Sequence, residues 1–435
     1  MYRELGELIL YSDLDRHELL TQLGQICREL DEGRTDRDLL RARLFRQLKR
    51  LLDLSTQYGF DGNLWQNYLT FVMVSHPHSF GLAAEGTELG EGTIHRIALH
   101  DFGVFRRLFH YDFSLLEEAL NVDCFSIVTD YQAMVKREQL FNSDVSGCIR
   151  LLSMQIAHAD SDEEVFFLMA DHYRMYGMGL FGMNRAFRVK KDKALSFVPI
   201  LNVDQVLLSD LVGYEAQKAE LRQNVERFLN GSPYNNMLLY GDAGTGKSTC
   251  VKACLNEYWQ EGLRIIELNK YQFDLLSDVI SLVKLRRYRF MILLDDLSFE
   301  KDEAEYKYLK AVIEGGLETR PDNVMIVATS NRRHLIREGF SDRADMEYSD
   351  DLHKSDTVEE KLSLSARFGC AIRFSAPDRK LFNEMCLTLA RKQTDTTLSD
   401  EQLLKQAAQF ELRHGGLSGR TAQQFVNTLV NTEEE

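Results

Sequence analysis

The chain has 435 residues, 44% of them hydrophobic, and a formal net charge of −15. That length suits roughly two to four domains, and the apolar fraction excludes a globally disordered chain. The acidic balance argues against a protein that coats nucleic acid nonspecifically, because such binding needs many cations facing phosphates. The seven cysteines are odd in number and form no CxxC pair, which indicates reduced thiols in a cytoplasmic protein.

The first region, residues 1–195, is predicted to be a helical domain. It begins without a secretory hydrophobic segment, and no apolar run in the chain approaches membrane-spanning length, so we expect no membrane partner. Apolar residues recur at three- and four-residue spacing, as in Leu40, Leu44, Leu48 and Leu51. Cations follow the other side of that helix: Arg41, Arg43, Arg46, Lys49 and Arg50. This face is either solvated or contacts a nucleic-acid backbone or an acidic protein, and the partner of this domain stays open.

The second region, residues 196–376, alternates short apolar runs with helical patterns, which predicts an α/β domain with a parallel sheet. Five strands are expected, at Asn236–Tyr240, Arg264–Leu268, Phe290–Leu294, Asn323–Ala328 and Ala371–Phe374. Pro321 and Pro377 flank the last two runs, as expected for a residue that is excluded from central strands. The third region, residues 377–435, returns to a helical pattern and is predicted to be a small helical domain.

A glycine-rich loop follows the first predicted strand and precedes a predicted helix. It reads Gly241, Asp242, Ala243, Gly244, Thr245, Gly246, Lys247, Ser248 and Thr249. Glycines allow successive backbone N–H groups to surround phosphates, and the following helix start adds unpaired donors. In this pattern Lys247 contacts the β- and γ-phosphates and Ser248 places its hydroxyl on Mg²⁺. The sequence therefore predicts a phosphate-binding loop for a magnesium–nucleotide complex.

Polar residues follow the third and fourth predicted strands. Asp295 and Asp296 end the third, and Asn331 comes directly after the fourth. Ligand sites of parallel sheets lie beyond the carboxyl ends of the strands, so these side chains should meet the glycine loop. Asp295 is a candidate for holding Mg²⁺, Asp296 for orienting the attacking water, and Asn331 for contacting the γ-phosphate.

The order of these elements resembles that of AAA+ ATPases, from about Ser209 to the end of the chain. The Walker A loop at 241–249 and the Walker B strand end at 293–296 carry the resemblance, together with the sensor position of Asn331. The segment 210–214, which includes Val212 and Gly213, is similar to the linker whose backbone contacts adenine. Residues 367–369 resemble an arginine-finger segment, and residues 416–421 resemble the second sensor on a C-terminal lid.

The resemblance implies ATP as ligand, Mg²⁺ as cofactor and a homo-oligomeric ring. It implies that Arg367 acts on the nucleotide of a neighbouring subunit and that Arg420 acts from the lid. Other arginines compete for the first of these roles: Arg332, Arg333 and Arg343. We therefore expect an ATPase that remodels or loads a macromolecular partner.

One departure from the AAA+ pattern bears on activity. Most members have glutamate where this chain has Asp296, whose side chain is one methylene shorter, and Glu300 is a substitute candidate. A nucleotide-dependent switch or adaptor with little turnover is therefore an alternative to a motor. A P-loop kinase is a further alternative, although it leaves the sensors and the lid unexplained. The detailed sequence also resembles a family of predicted bacterial AAA+ ATPases whose cellular role is not established.

Overall fold

The structure is a computed structural model that describes residues 1–15, 18–33, 35–86, 92–133, 143–192, 195–299, 305–314, 321–332, 366–394 and 396–430. The chain divides into two compact units. One consists of Met1–Asn184 with Pro199–Asn202, and the other of Arg185–Val198 with Val203–Glu435. In the described part of the chain, no helix is both long and apolar enough to cross a membrane.

The first unit consists of short and medium helices. They are α1 (Tyr2–Leu5), α2 (Leu19–Glu32), α3 (Arg37–Tyr58), α4 (Leu64–Ser75), α5 (Ser79–Gly86), α6 (Thr93–Phe109), α7 (Ser114–Leu120), α8 (Phe125–Thr129), α9 (Ser143–Ala157), α10 (Asp162–Tyr176) and α11 (Leu180–Met183). Local signals fix several ends. The side chain of Asp36 caps α3 by accepting the N–H of Asp38, and Gly59 ends that helix in the left-handed region. Ser161 caps α10 in the same way.

Aromatic side chains fill the core of this unit. Phe80 on α5 contacts Phe102 on α6 and Phe166 on α10, with ring centroids 5.8 and 5.1 Å apart. All three are buried. The apolar residues spaced along α3 are buried too, as their helical spacing predicted: Leu40, Leu44, Leu48 and Leu51.

The basic side of α3 is largely engaged within the unit. Arg41 pairs with Asp38, and Lys49 pairs with Asp53, at 2.9 and 2.5 Å. Arg43 reaches across to Glu29 on α2 at 2.7 Å. These carboxylates offset the cations, so the face presents less positive charge than its sequence suggests.

The second unit is built on a seven-stranded sheet. Its strands are β1 (Ala186–Lys191), β2 (Leu195–Pro199), β3 (Met237–Gly241), β4 (Leu263–Leu268), β5 (Arg289–Leu294), β6 (Val324–Ser330) and β7 (Cys370–Phe374). They lie in the order β2-β1-β4-β5-β6-β3-β7. The pairs β1/β4, β4/β5, β5/β6, β6/β3 and β3/β7 are parallel. All of β6 is buried, because the strand is covered on both faces.

Helices surround this sheet and form the C-terminal part of the unit. They are α12 (Glu215–Leu229), α13 (Lys247–Tyr258), α14 (Leu276–Val283), α15 (Glu305–Glu314), α16 (Arg379–Gln393), α17 (Asp400–His414) and α18 (Gly419–Val430), with 3₁₀ turns at Leu208–Asp210, Trp259–Glu261 and Lys270–Leu275. Helices α16, α17 and α18 share a small core of their own, and we call them the lid.

The α/β fold class and the five predicted strands are confirmed, with strand ends that differ by one or two residues. Strands β1 and β2 were not predicted, and β1 pairs with β4. The sheet unit accordingly begins at Arg185, earlier than the boundary expected at residue 195. The reason is composition: β1 reads Ala-Phe-Arg-Val-Lys-Lys, and its three cations interrupt the continuous apolar run that is typical of a buried parallel strand.

A buried histidine in the first unit is held in its neutral form. The Nδ1 of His78 accepts the N–H of Gly81 at 3.1 Å, which assigns the ring proton to Nε2. That Nε2 lies 3.1 and 3.2 Å from the hydroxyls of Tyr11 and Tyr173. Burial lowers the pKa of His78 to about 4. Protonation of Nδ1 would break the bond to Gly81 and place a charge in an apolar core.

Acidification is therefore expected to destabilise the first unit. The unfolded chain, whose histidine pKa is near the ordinary 6.5, takes up the proton before folded His78 does. Stability is full above about pH 7, and His78 alone removes about 2 kcal/mol between about pH 7 and pH 5. Urea unfolding of the variant Trp259→Phe, followed by tryptophan fluorescence, measures this free energy. The chain has two tryptophans, and in this variant only Trp65, which is buried in the first unit, remains.

The control for this measurement is the same variant with His78→Gln added. Its free energy of unfolding should fall less between the two pH values, because the added side chain does not titrate. An equal fall in both proteins would assign the acid sensitivity to other groups, among them His172, whose pKa burial also lowers to about 4.

Candidate functional site

A cleft of about 850 Å³ lies in the second unit, and its walls come from the sheet, the linker before α12 and the lid. After β3 the chain crosses to β4, which is separated from β3 in the sheet by β5 and β6. It then returns strand by strand, through β5, to β6, which lies beside β3. Such a reversal of strand order opens a crevice at the carboxyl ends of the strands, where ligands of α/β proteins bind. The glycine loop between β3 and α13 forms the floor of this crevice.

The first glycine of the loop lies against strand β7. Gly241 has a φ of +133°, and a Cβ added there would lie 1.9 Å from the carbonyl oxygen of Phe374. The next residue, Asp242, donates its N–H to that same oxygen at 2.9 Å. Its carboxylate accepts the N–H of Ala376 at 2.6 Å. The start of the loop is thus clamped to the end of β7 by backbone and side chain together.

Lys247 lies under the loop, and its side chain is almost fully buried. Its ammonium donates to the carbonyl oxygens of Gly241 and Asp242, at 3.0 and 2.7 Å, and to Oδ1 of Asn331 at 3.1 Å. Burial lowers its pKa, and the neighbouring carboxylates of Asp242, Asp296 and Asp295 act in the opposite direction. The lysine is therefore surrounded by acceptors and reaches from the loop to the end of β6.

The two acidic residues after β5 are held by β6. Oδ1 of Asp295 accepts the hydroxyls of Ser248 and Thr329, both at 2.5 Å. The Thr329 hydroxyl in turn accepts the N–H of Asp296 at 3.0 Å. Oδ1 of Asp296 accepts the amide of Asn331 at 2.8 Å, and its backbone has a left-handed φ of +52°. These contacts fix the directions of both carboxylates at the mouth of the cleft.

The linker before α12 is fixed between the sheet and the lid. Tyr214 adopts a φ of +59° and donates its hydroxyl to the carbonyl oxygen of Ser375 at 2.8 Å. Burial raises its pKa to about 12. Gly213 has a φ of +82°, and a Cβ there would lie 2.5 Å from the Leu381 side chain of α16. Glycine suits this position because it adopts the positive φ without strain and leaves the Leu381 side chain in place.

The lid contacts the glycine loop directly. The backbone N–H of Arg420 donates to the carbonyl oxygen of Gly244 at 3.3 Å. Ser418 caps α18 by accepting the N–H of Thr421 at 3.0 Å. Helix α18 therefore begins over the glycine loop, with the exposed side chain of Arg420 lining the cleft.

The structure places most of the predicted residues at this cleft. Those that line it are Val212, Gly213, residues 243–249, Asp295, Asp296, Asn331 and Arg420. Gly241 and Asp242 begin the loop against the end of β7 and are not among the lining residues. Arg367 is exposed just before β7. Because β7 runs parallel to β3, this residue lies at the amino-terminal ends of the strands, whereas the loop lies at their carboxyl ends.

The other arginine candidates divide in the same way. Arg332 is exposed and directly follows Asn331, at the loop's side of the sheet. Arg333, Arg343 and Glu300 lie outside the described residues.

Several contributors to the site were missed. The sequence alone could have indicated Thr329, because it precedes Asn331 by two residues and side chains two apart on a strand point to the same face. Lys392 and Asp210 form an ion pair at the cleft, and Gln393 and Gln423 hydrogen-bond there. These residues are far apart in sequence, so no local pattern brings them together.

The strand order, the glycine loop, the acidic end of β5, the asparagine after β6 and the helical lid define a member of the AAA+ ATPase superfamily. The chain belongs to the family described as "Protein of unknown function (DUF815)", which matches residues 182–433.

A 73-residue segment is 38% identical to the replication factor C large subunit of Staphylothermus marinus. It covers 17% of this chain and only 16% of that protein. Among solved structures, the Thermotoga maritima RuvB Holliday junction branch migration motor is 16% identical, with a TM-score of 0.36 over 52% of this chain and 66% of that one. The FIGL-1 AAA domain in complex with ADP is 16% identical, with a TM-score of 0.37 over 52% and 73%.

The clamp between the loop and β7 predicts a difference between two glycine substitutions. Gly246→Ala places a methyl group in open space at a φ of +87° and should cost about 1–2 kcal/mol. Gly241→Ala drives a methyl group into the backbone of Phe374 and should cost more than about 4 kcal/mol or prevent folding. Denaturant unfolding of both variants checks this. Equal stabilities would mean that the loop does not approach β7 as described.

Proposed function

We propose that this protein binds Mg-ATP in the cleft and hydrolyses it between two copies of the chain, in order to remodel or load a macromolecular partner. One observation carries the proposal. A continuous series of hydrogen bonds joins the loop lysine to both acidic residues through the two polar side chains at the end of β6. Phosphate binding, metal binding and water activation need these groups within reach of one another.

The glycine loop supplies the phosphate site. Its backbone turns through left-handed conformations at Gly244 and Gly246, with φ of +73° and +87°. Helix α13 begins at Lys247, so its first N–H groups and its positive dipole end face the cleft. Lys247 would exchange carbonyl acceptors for phosphate oxygens on binding.

The oxygen ligands at the acidic end fit magnesium. The Ser248 hydroxyl and the Asp295 carboxylate are hard donors that lie 2.5 Å apart, and Mg²⁺ prefers such groups together with phosphate oxygens and water. When bound, the metal would neutralise charge on the phosphates. Thr329 keeps Asp295 in position for this role.

Asp296 is the residue that we assign to the attacking water. Asn331 donates to one of its carboxylate oxygens, which orients the other toward the cleft. Asn331 also accepts a hydrogen bond from Lys247, so its side chain links the lysine ammonium to the Asp296 carboxylate. We therefore assign the sensing of the γ-phosphate to Asn331.

A second copy of the chain completes the proposed site. Arg420 contributes a cation from the lid of the same chain. Arg367, by contrast, lies at the amino-terminal ends of the strands, away from the cleft of its own chain. An arginine there reaches a nucleotide only in a neighbouring subunit, where it would stabilise transition-state charge. The residues that line the cleft all belong to the second unit, so we assign partner binding to the first.

The short side chain of Asp296 favours a second candidate function. A carboxylate that is one methylene shorter and already bound to Asn331 reaches water less easily than a glutamate. In that case the protein binds ATP and works as a slow switch or adaptor. The measurements below separate the two functions.

The first test of the proposal is the turnover of Asp296 variants. Asp296→Asn should lower kcat by about 100-fold or more with little change in ATP affinity, because it removes the base but retains the acceptor for Asn331. Asp296→Glu should keep or raise kcat. Lys247→Ala is the blank and should lose ATP binding. Tight binding without turnover above this blank would favour the switch, and wild-type binding by Lys247→Ala would refute the loop assignment.

The second test is complementation between two inactive variants. Arg367→Ala should lower turnover by about 1000-fold, because each site loses its neighbour's cation. When it is mixed with Lys247→Ala, activity should return, since Lys247→Ala subunits supply the arginine to intact ATP sites. Arg373→Ala, an exposed arginine on β7, is the matched control and should remain active. A mixture that stays inactive would exclude Arg367 as the trans-acting residue.

A further inference from the structure

One wall of the cleft consists of apolar side chains rather than phosphate ligands. These residues are Val206, Leu211 and Val212 from the linker, with Met385 and Leu389 from α16. Flat apolar walls suit a planar ring system, and a few polar groups at such a wall fix its orientation. The wall is therefore the place where a nucleotide base would lie.

Two glutamines of the lid line the same cleft and bind each other. Nε2 of Gln423 donates to Oε1 of Gln393 at 2.5 Å, and Nε2 of Gln393 donates back at 3.3 Å. The second N–H of Gln423 donates to Oδ1 of Asn427 at 2.9 Å. Gln423 is half-buried on α18, about one turn after Arg420, whereas Gln393 is exposed at the end of α16.

The contact with Asn427 orients the Gln423 amide. It uses one amide hydrogen and leaves an edge with one donor and one acceptor, which the Gln393 amide occupies. Adenine presents the same pattern, an amino donor beside a ring-nitrogen acceptor, and glutamine pairs with it through two hydrogen bonds. The Gln393 amide therefore binds the donor and acceptor of Gln423 with the same pair of groups, one donor and one acceptor, that adenine would present.

From this geometry we infer that Gln423 reads the base and selects a 6-aminopurine over a 6-oxopurine, with Gln393 holding its place until the base binds. The inference rests on the proposed binding of a nucleotide in this cleft. Three charged groups near this wall are already engaged, because Asp210 pairs with Lys392 and the Lys218 ammonium donates to the Leu211 carbonyl. The amide edge of Gln423, by contrast, is neutral and can exchange its partner without separating charges.

The test compares ATP and GTP affinity by calorimetry on the full chain. Gln423→Glu should lower the preference for ATP over GTP by about tenfold or more, because a carboxylate accepts from the two adjacent N–H groups of guanine and repels the adenine nitrogen. Gln423→Leu should weaken ATP without strengthening GTP. Gln393→Ala should keep the preference for ATP. Gln406→Glu is the matched control, since it adds the same charge to an exposed site on α17.

The outcomes separate this inference from the proposed function. If the wild type binds ATP in a Lys247-dependent manner but both Gln423 variants, folded by circular dichroism, keep the wild-type preference, Gln423 does not read the base. A shift of the same size in Gln406→Glu would assign the effect to charge alone and would also overturn the inference. If the wild type shows no Lys247-dependent binding of ATP, the proposed function fails as well.

Discussion

The close approach of Gly241 to Phe374 is the contact on which the geometry of the site depends. Strands β3 and β7 are paired in parallel up to these two residues, so the glycine loop starts where β7 ends. The Asp242 carboxylate then holds Ala376. Two residues later Asp378 caps α16, the first helix of the lid. The short backbone segment 374–378 therefore connects the loop, strand β7 and the lid, so a displacement of any one of them would displace the others.

A second constraint orders the polar side chains at the mouth of the cleft. Thr329 near the end of β6 and Asn331 just after it each donate to the carboxylate of one of the two acidic residues that follow β5. Because β5 and β6 are buried parallel neighbours, their ends cannot shift independently. The positions of Asp295 and Asp296 are thus set by strand register rather than by solvent-exposed loops. This is the kind of rigid support that a preorganised catalytic site requires.

The sequence predicted the central sheet and the glycine loop between β3 and α13 because both depend on local pattern. Apolar runs marked β3 to β7, and the spacing of glycines with Lys247 marked the loop. What it could not show were contacts between distant segments. Asp210 and Lys392 are 182 residues apart. Strand β1 escaped notice because half of it is polar, and the left-handed backbone of Tyr214 and Asp296 arises from tertiary contacts that override residue preference.

The charges around Lys247 bear on how the site would bind a triphosphate. Three carboxylates, those of Asp242, Asp296 and Asp295, act on this single ammonium. The immediate surroundings of the loop are therefore negative, and the lysine alone cannot attract a polyanion there. In the proposed complex, attraction would come from the backbone N–H groups at the start of α13, from Arg420 and from a divalent cation held by Ser248 and Asp295. In the function that we propose, a site with this balance would need its divalent cation for binding as well as for chemistry, and Arg420 would bring the lid into contact with the phosphates.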